Sequence, residues 1–156
     1  MTNFELNRQL QRIRSLLGQV DQACGNDIEM RSHWAKYLCV LVAGFLENAI
    51  QELYAHFVRS AASEPVQNYA ISRLSAIRNP KMSRFIEVAG AFKRSWAKEL
   101  EEFAESNGRK DAIDSIMRNR HQIAHGQYSG VTMVRLKDYL DKALEVVEFI
   151  ERQCDT

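Results

Sequence analysis

Apolar residues recur every three or four positions along almost the whole chain, the spacing that places them on one face of an α-helix. The chain contains only two prolines, Pro65 and Pro80, and both lie between such segments, where they separate helices rather than bend them. No segment shows the strict alternation of apolar and polar residues that is typical of a half-buried strand. The pattern therefore predicts an all-α protein.

The predicted helices differ in length and polarity. The second, from about Glu29 to about Ala62, is the longest and most apolar, so it should be the central helix. The first ends at Gly25, and the last is expected to be capped by Thr132. Shorter helices are expected after Pro65 and after Pro80. The remaining predicted segments are 3–24, 95–106, 110–124 and 132–153. Long helices joined by short turns predict an antiparallel helical bundle with two long core helices, short middle helices and a long C-terminal helix.

Length and composition set further bounds. A chain of 156 residues predicts a single domain spanning residues 1–156, and a net charge of +1 does not by itself indicate a polyanionic partner. The three widely spaced cysteines do not form the pattern of a disulfide framework or a zinc site, which favours a reducing cytoplasm. The first ten residues lack the apolar core of a signal peptide. The longest apolar run, Leu38–Leu46, is too short to span a bilayer. We therefore expect a soluble cytoplasmic protein with no membrane partner.

Residues 118–126 read RNRHQIAHG and hold two arginines, two histidines and an asparagine in nine positions. On an ideal helix Arg120 falls in the middle of the inward face that Ile113, Ile116, Met117 and Ala124 define. An arginine on such a face pairs with a carboxylate, extends to solvent at a helix end, or lines a cleft or subunit interface. The candidate carboxylates on the second helix are Glu47 and Glu52, provided that the two helices are neighbours.

The other polar residues of this stretch share a neighbouring face. Arg118, His121 and His125 lie there, and in a strict helix His125 points about 140° away from Arg120. The two side chains can converge only where the helix ends or loosens. Gly126 supplies such an end, because a glycine just beyond a helix commonly takes the left-handed conformation.

Arginine and histidine are together sufficient for metal-free cleavage of RNA. Histidine can move protons at the ribose 2′-OH and at the leaving oxygen, and a guanidinium can stabilise the charge that builds up on the transferring phosphate. Two other interpretations remain open on the spacing alone. In the first, the residues only cap and pack a helix end. In the second, His121 and His125 bind a metal ion, since they lie four residues apart. No acidic residue or cysteine lies nearby in the sequence to complete a metal site.

The same stretch resembles the Arg-x4–6-His signature of HEPN domains. Arg120 and His125 have the x4 spacing, and Arg118 and His125 have the x6 spacing. The upstream segment FLENAIQELY (45–54) resembles the second long helix of the RiboL-PSP or MAE_28990-like branch of that family. The segment YSGVTMVRLKDYL (128–140) resembles the entry into its last helix. The resemblance extends from about the second helix to the end of the chain.

This resemblance implies a metal-independent endoribonuclease without a cofactor, which works as a homodimer and cleaves single-stranded RNA where two motifs meet across a cleft. It implies that Arg120 and His125 are catalytic, while Arg118, Asn119 and His121 orient or bind phosphate. Such proteins are often toxins or antiviral effectors, so an antitoxin or another defence-system protein is an expected partner. The alternative is a non-catalytic module that binds a partner protein or nucleic acid.

A second basic region lies outside the motif. Residues 73–98 contain seven basic residues and one acidic residue, a local charge of +6 in a chain of +1. One hypothesis is an RNA-binding surface on which Phe85, Phe92 and Trp96 stack bases. The alternative is that these aromatic residues face the core and the charges are simply solvated. The basic residues assigned to the surface are Arg78, Lys81, Arg84, Lys93 and Arg94.

Overall fold

The computed structural model describes residues 1–156 and contains seven helices and no strand. The all-α prediction is confirmed, and most helix ends lie within two residues of their predicted positions. One difference concerns α3, which includes Pro65 in its first turn instead of beginning after it. A proline is tolerated there because first-turn amides have no acceptor within the helix. The helices are α1 (Phe4–Cys24), α2 (Ile28–Ala61), α3 (Glu64–Leu74), α4 (Met82–Phe92), α5 (Arg94–Ala104), α6 (Arg109–Ala124) and α7 (Met133–Cys154).

The first two helices form an antiparallel pair. The predicted stop at Gly25 is confirmed, because this glycine ends α1 with φ = +52°. Beyond the turn, the guanidinium of Arg31 donates to Asp21 at 2.8 Å and to the carbonyl of Gly25 at 2.7 Å. Further along, Asn48 donates to Gln9 at 3.2 Å. Because later residues of α2 meet earlier residues of α1, the two helices run in opposite directions.

The second helix is the centre of the bundle, as predicted. It packs against α1, α3, α6 and α7, and Leu38, Leu46 and Ile50 on it are fully buried. By length and composition alone it would also suffice to cross a membrane, with a mean hydropathy of 1.3, but 61% of that apolar window is buried inside the bundle. Its apolar character is therefore accounted for by its central position in the core.

Two sets of contacts fix α6, the helix that carries the motif. At its start, Arg109 is nearly buried and donates to Glu145 of α7 at 2.6 Å and to the carbonyl of Phe103 at 3.0 Å. In its middle, the buried thiol of Cys39 lies 3.7 Å from the carbonyl oxygen of Ile116 as a weak donor. The first half of α6 is thus held by α2 and α7, and its C-terminal end carries the polar residues.

Candidate functional site

The motif helix ends where the sequence predicted that it would. The last helical residue of α6 is Ala124, and His125 has φ = −97° and ψ = 12° as the capping residue. Gly126 takes the left-handed conformation with φ = +65°. Its amide donates to Ile123 at 3.2 Å, and the amide of Gln127 donates to Gln122 at 2.8 Å, so the chain folds back over the last turn.

The two histidines of the motif form an exposed pair at this helix end. The rings of His121 and His125 lie with their centroids 4.4 Å apart and their planes inclined by 51°. Both side chains are open to solvent. Nowhere in the chain do three or more His, Cys, Asp or Glu side chains gather in an arrangement that could hold a metal ion. The pair is therefore accessible to a ligand from solvent, and no third protein ligand lies beside it.

Arg120 lies at the rim of the core rather than in the middle of it. Its side chain is half-buried, and Ala124, expected on the inward face, is exposed. Full burial along α6 ends at Met117, and beyond it only Ile123 still packs, partly buried, against the core. No carboxylate lies within 4.0 Å of Arg120 and it makes no hydrogen bond, so the fold leaves its guanidinium free for a ligand.

The carboxylates proposed as partners of the motif arginines are used elsewhere, and that hypothesis is wrong. Glu47 lies 3.9 Å from Arg78 and accepts a hydrogen bond from the amide of Asn79 at 2.6 Å. Glu52 lies 3.9 Å from Arg59 on its own helix. Cys39 already meets the middle of α6, and Glu47 lies about two helical turns further along α2, where it meets Asn79 rather than the motif.

Arg118 and Asn119 are tied into the protein itself. Arg118 is exposed but donates to the hydroxyl of Ser115 at 3.0 Å. The amide of Asn119 donates to the carbonyl of Ser115 at 2.8 Å, and its oxygen accepts from the hydroxyl of Ser129 at 2.8 Å. Ser115 and Ser129 are both buried. Asn119 thereby fastens the segment that follows the motif onto the motif helix.

These two serines were missed in the sequence. Ser115 precedes Arg118 by three residues and Asn119 by four, a spacing at which side chains meet on a helix and which could have indicated the contact. Ser129 lies in a polar loop with no comparable signal, because its partner is set by the fold of the loop.

The sequence on both sides of the motif is rich in basic residues. No acidic residue occurs between Asp114 and Asp138. This interval contains four arginine and lysine residues, among them Arg118 and Arg120, and both histidines of the motif. The two acids at its ends are engaged, Asp114 with the amide of Met82 at 2.9 Å and Asp138 with Lys142 at 2.8 Å. The helix end is therefore suited to a polyanion.

The basic residues of 73–98 do not form one continuous surface with the motif. Lys81 precedes α4 beside α6, because the next residue, Met82, is bonded to Asp114. Lys93 and Arg94 lie at the other end of the bundle, where Gln153, near the end of α7, donates to the carbonyl of Trp96 at 3.2 Å. At about 1.5 Å per residue, that end lies roughly 30 Å along α7 from the first residue of this helix, which follows the motif segment. The other two are engaged, Arg78 with Glu47 and Arg84 with Glu87.

The aromatic residues of this region face the core, as the alternative interpretation predicted. Phe85 and Trp96 are buried, and Phe92 stacks on Tyr54 with ring centroids 5.1 Å apart. The five basic side chains are exposed. These aromatic rings therefore belong to the packing of α4 and α5 against α2 and are not exposed as a platform for bases.

Comparison with known proteins identifies one family. The family model described as RiboL-PSP-HEPN matches residues 5–156, nearly the entire chain and more of it than the motifs suggested. No curated protein and no solved structure matches the chain. The matched range includes all of the motif helix and the segment after it. The chain belongs to the RiboL-PSP-HEPN family.

Proposed function

We propose that this protein is a metal-independent endoribonuclease that cleaves single-stranded RNA, with Arg120 and His125 as its catalytic residues. Membership of a HEPN family supports a nuclease-type or RNA-related function. The observation that carries the proposal is that the guanidinium of Arg120 has no hydrogen-bond or ion-pair partner in the protein. Arg120, a half-buried residue whose guanidinium has no protein partner, lies on the last turns of a helix that also presents an exposed histidine.

The proposed reaction needs only groups of this kind. His125 takes the proton of a ribose 2′-OH, and the 2′-oxygen attacks the adjacent phosphorus. The bond to the 5′-oxygen of the next nucleotide breaks, that oxygen takes up a proton, and a 2′,3′-cyclic phosphate remains. Arg120 stabilises the extra negative charge on the phosphate oxygens in the transition state. We assign to His121 the role of orienting His125 or binding phosphate, and the distance of 4.4 Å between the two ring centroids supports this role.

The proposal includes a homodimer in which two motifs face one cleft, as the family resemblance implies. Tyr37 and Val40, one turn apart on α2, are exposed apolar residues of the helix that packs against α6 and are candidates for the dimer contact. A toxin or antiviral effector acting in the cytoplasm, with an antitoxin or another defence protein as partner, is the proposed biological setting.

The test is cleavage of single-stranded RNA by purified protein in EDTA, with analysis of the product ends. Wild type should leave 2′,3′-cyclic phosphates, and His125→Ala and Arg120→Ala should each lower the rate by about 100-fold or more. Matched controls are His56→Ala and Arg14→Ala, which change exposed residues of the same types on α2 and α1. Equal background rates for wild type and His125→Ala would exclude catalysis. Inactive wild type that loses a protein partner on Arg120→Ala would indicate the interaction module instead.

A further inference from the structure

A groove lies directly beside the motif, on the side where the chain continues after His125. One wall is the beginning of α2, with Ile28, Arg31, Ser32 and Lys36, and the other is the segment 128–134 that leads into α7. The groove has a volume of about 430 Å³, within the range of roughly 300–1,000 Å³ that is usual for ligand clefts.

A hydrogen bond and a short stretch of chain connect the groove to the motif. Ser129 lines the groove, and its hydroxyl donates to Asn119 of the motif at 2.8 Å. Tyr128, at the mouth of the groove, follows His125 by three residues, so their Cα atoms lie at most about 10 Å apart. A nucleic acid with its reacting phosphate at His125 would therefore reach the groove with its next nucleotide or two.

The charge of the groove suits a polyanion. None of its lining residues is acidic. Arg31 is already paired with Asp21 at 2.8 Å, whereas Lys36 is half-buried, has no acidic group within 4.0 Å and makes no hydrogen bond. An ammonium without a protein partner at the edge of such a groove favours an anionic occupant, because an apolar cover would remove its hydration and supply no counter-charge.

The groove also offers an aromatic ring. Tyr128 is 87% exposed, and its ring lies next to Gly130, where an added Cβ would come within 3.6 Å of it. An exposed ring beside a phosphate-binding cation is the combination by which proteins hold single-stranded nucleic acid without reading its sequence.

We propose that this groove is a nucleotide subsite, in which a base next to the cleavage position stacks on Tyr128 while its phosphate binds Lys36. The subsite rests on the proposed function, since it takes the same RNA. A second copy of the chain is the other candidate occupant, but the groove adjoins the proposed catalytic histidine and its lining contains two basic residues and no acidic one, so the observations favour RNA.

The test measures binding rather than cleavage. Fluorescence anisotropy of a fluorescein-labelled single-stranded RNA is followed with the full chain carrying His125→Ala, in EDTA. Adding Tyr128→Ala should raise Kd roughly 5- to 150-fold, whereas Tyr128→Phe should stay within about twofold. Adding Lys36→Ala should reduce the slope of log Kd against log salt by about 0.7, and Lys36→Arg should restore it. Controls are Tyr69→Ala and Lys98→Ala, which change exposed side chains of the same types elsewhere.

The outcomes separate the subsite from the catalytic proposal. RNA binding that is absent, or unchanged by both Tyr128→Ala and Lys36→Ala, overturns the subsite. Sedimentation that shows a wild-type dimer and monomeric Tyr128→Ala and Lys36→Ala variants overturns it as well, because the groove would then hold the second copy. Wild type that binds RNA with the expected dependence on both residues but does not cleave it would retain the subsite and exclude only the catalysis.

Discussion

The end of the motif helix depends on Gly126, and its replacement gives a prediction of definite sign. Gly126 has φ = +65°, and no atom lies within 4 Å of the position that a Cβ would take. Gly126→Ala therefore adds backbone strain without a steric clash. We expect the free energy of unfolding to fall by about 1–2 kcal/mol, the cost of the left-handed conformation for a residue with a Cβ.

Gly18 provides a matched control with the opposite sign. It lies inside α1, also has no atom within 4 Å of an added Cβ, and does not have a positive φ. Gly18→Ala should raise the free energy of unfolding by about 0.5–1 kcal/mol, because alanine is the better helix former. Gly126→Asn should be milder than Gly126→Ala, since asparagine enters the left-handed region more readily.

Urea unfolding followed by circular dichroism measures all three variants on one scale. The two alanine variants should separate by roughly 1.5–3 kcal/mol, with similar m-values. If Gly126→Ala is as stable as the wild type or more so, the helix continues through His125, and the free helix end on which the proposed catalytic geometry depends does not exist.

Two further predictions concern buried polar groups. In a double-mutant cycle followed by urea unfolding, Ser129→Ala and Asn119→Ala should show a coupling energy of about 0.5–1.5 kcal/mol. The control Ser75→Ala, which removes an exposed hydroxyl, should change the free energy of unfolding by less than about 0.5 kcal/mol. A coupling energy of zero would contradict the 2.8 Å hydrogen bond between the two side chains. Burial opposes the charge of Glu151, but hydrogen bonds from the first residues of the chain outweigh it and hold its pKa below the ordinary value. Its contribution to stability is thus present at neutral pH and lost as pH falls through the folded pKa. Glu151→Gln should be less stable than wild type near pH 7 and converge on it once the pH falls below the folded pKa, whereas the half-exposed Glu148→Gln should follow the wild type throughout.

The helices were predictable because a helix is determined locally. Periodic apolar residues, the stop at Gly25 and the cap at Thr132 all act within a few positions, and Thr132 does accept the amide of Arg135 at 3.2 Å. The end of α6 was predictable for the same reason, since Gly126 immediately follows it. Each of these features requires only neighbours in the sequence.

The features that the sequence did not predict depend on how far the core extends along each helix. The helical wheel places Arg120 and Ala124 on the inward face, but a wheel assumes that a neighbouring helix accompanies α6 for its full length. The burial of this face stops at Met117. Likewise Glu47 meets Arg78 and not the motif. Its partner depends on which segment of the chain packs beside that position of α2. Such offsets are tertiary properties and have no signature in the spacing.

The structure also bears on which motif arginine acts on phosphate, a choice that the x4 and x6 spacings leave open. Arg118 is exposed and is held by Ser115, the same residue whose carbonyl anchors Asn119. Arg120 is half-buried and has no partner. A guanidinium without a protein partner can give all its donors to a phosphate, whereas that of Arg118 shares them with Ser115. In the proposed reaction, that difference favours Arg120 as the group that stabilises the transition state and assigns to Arg118 the guiding of RNA towards it.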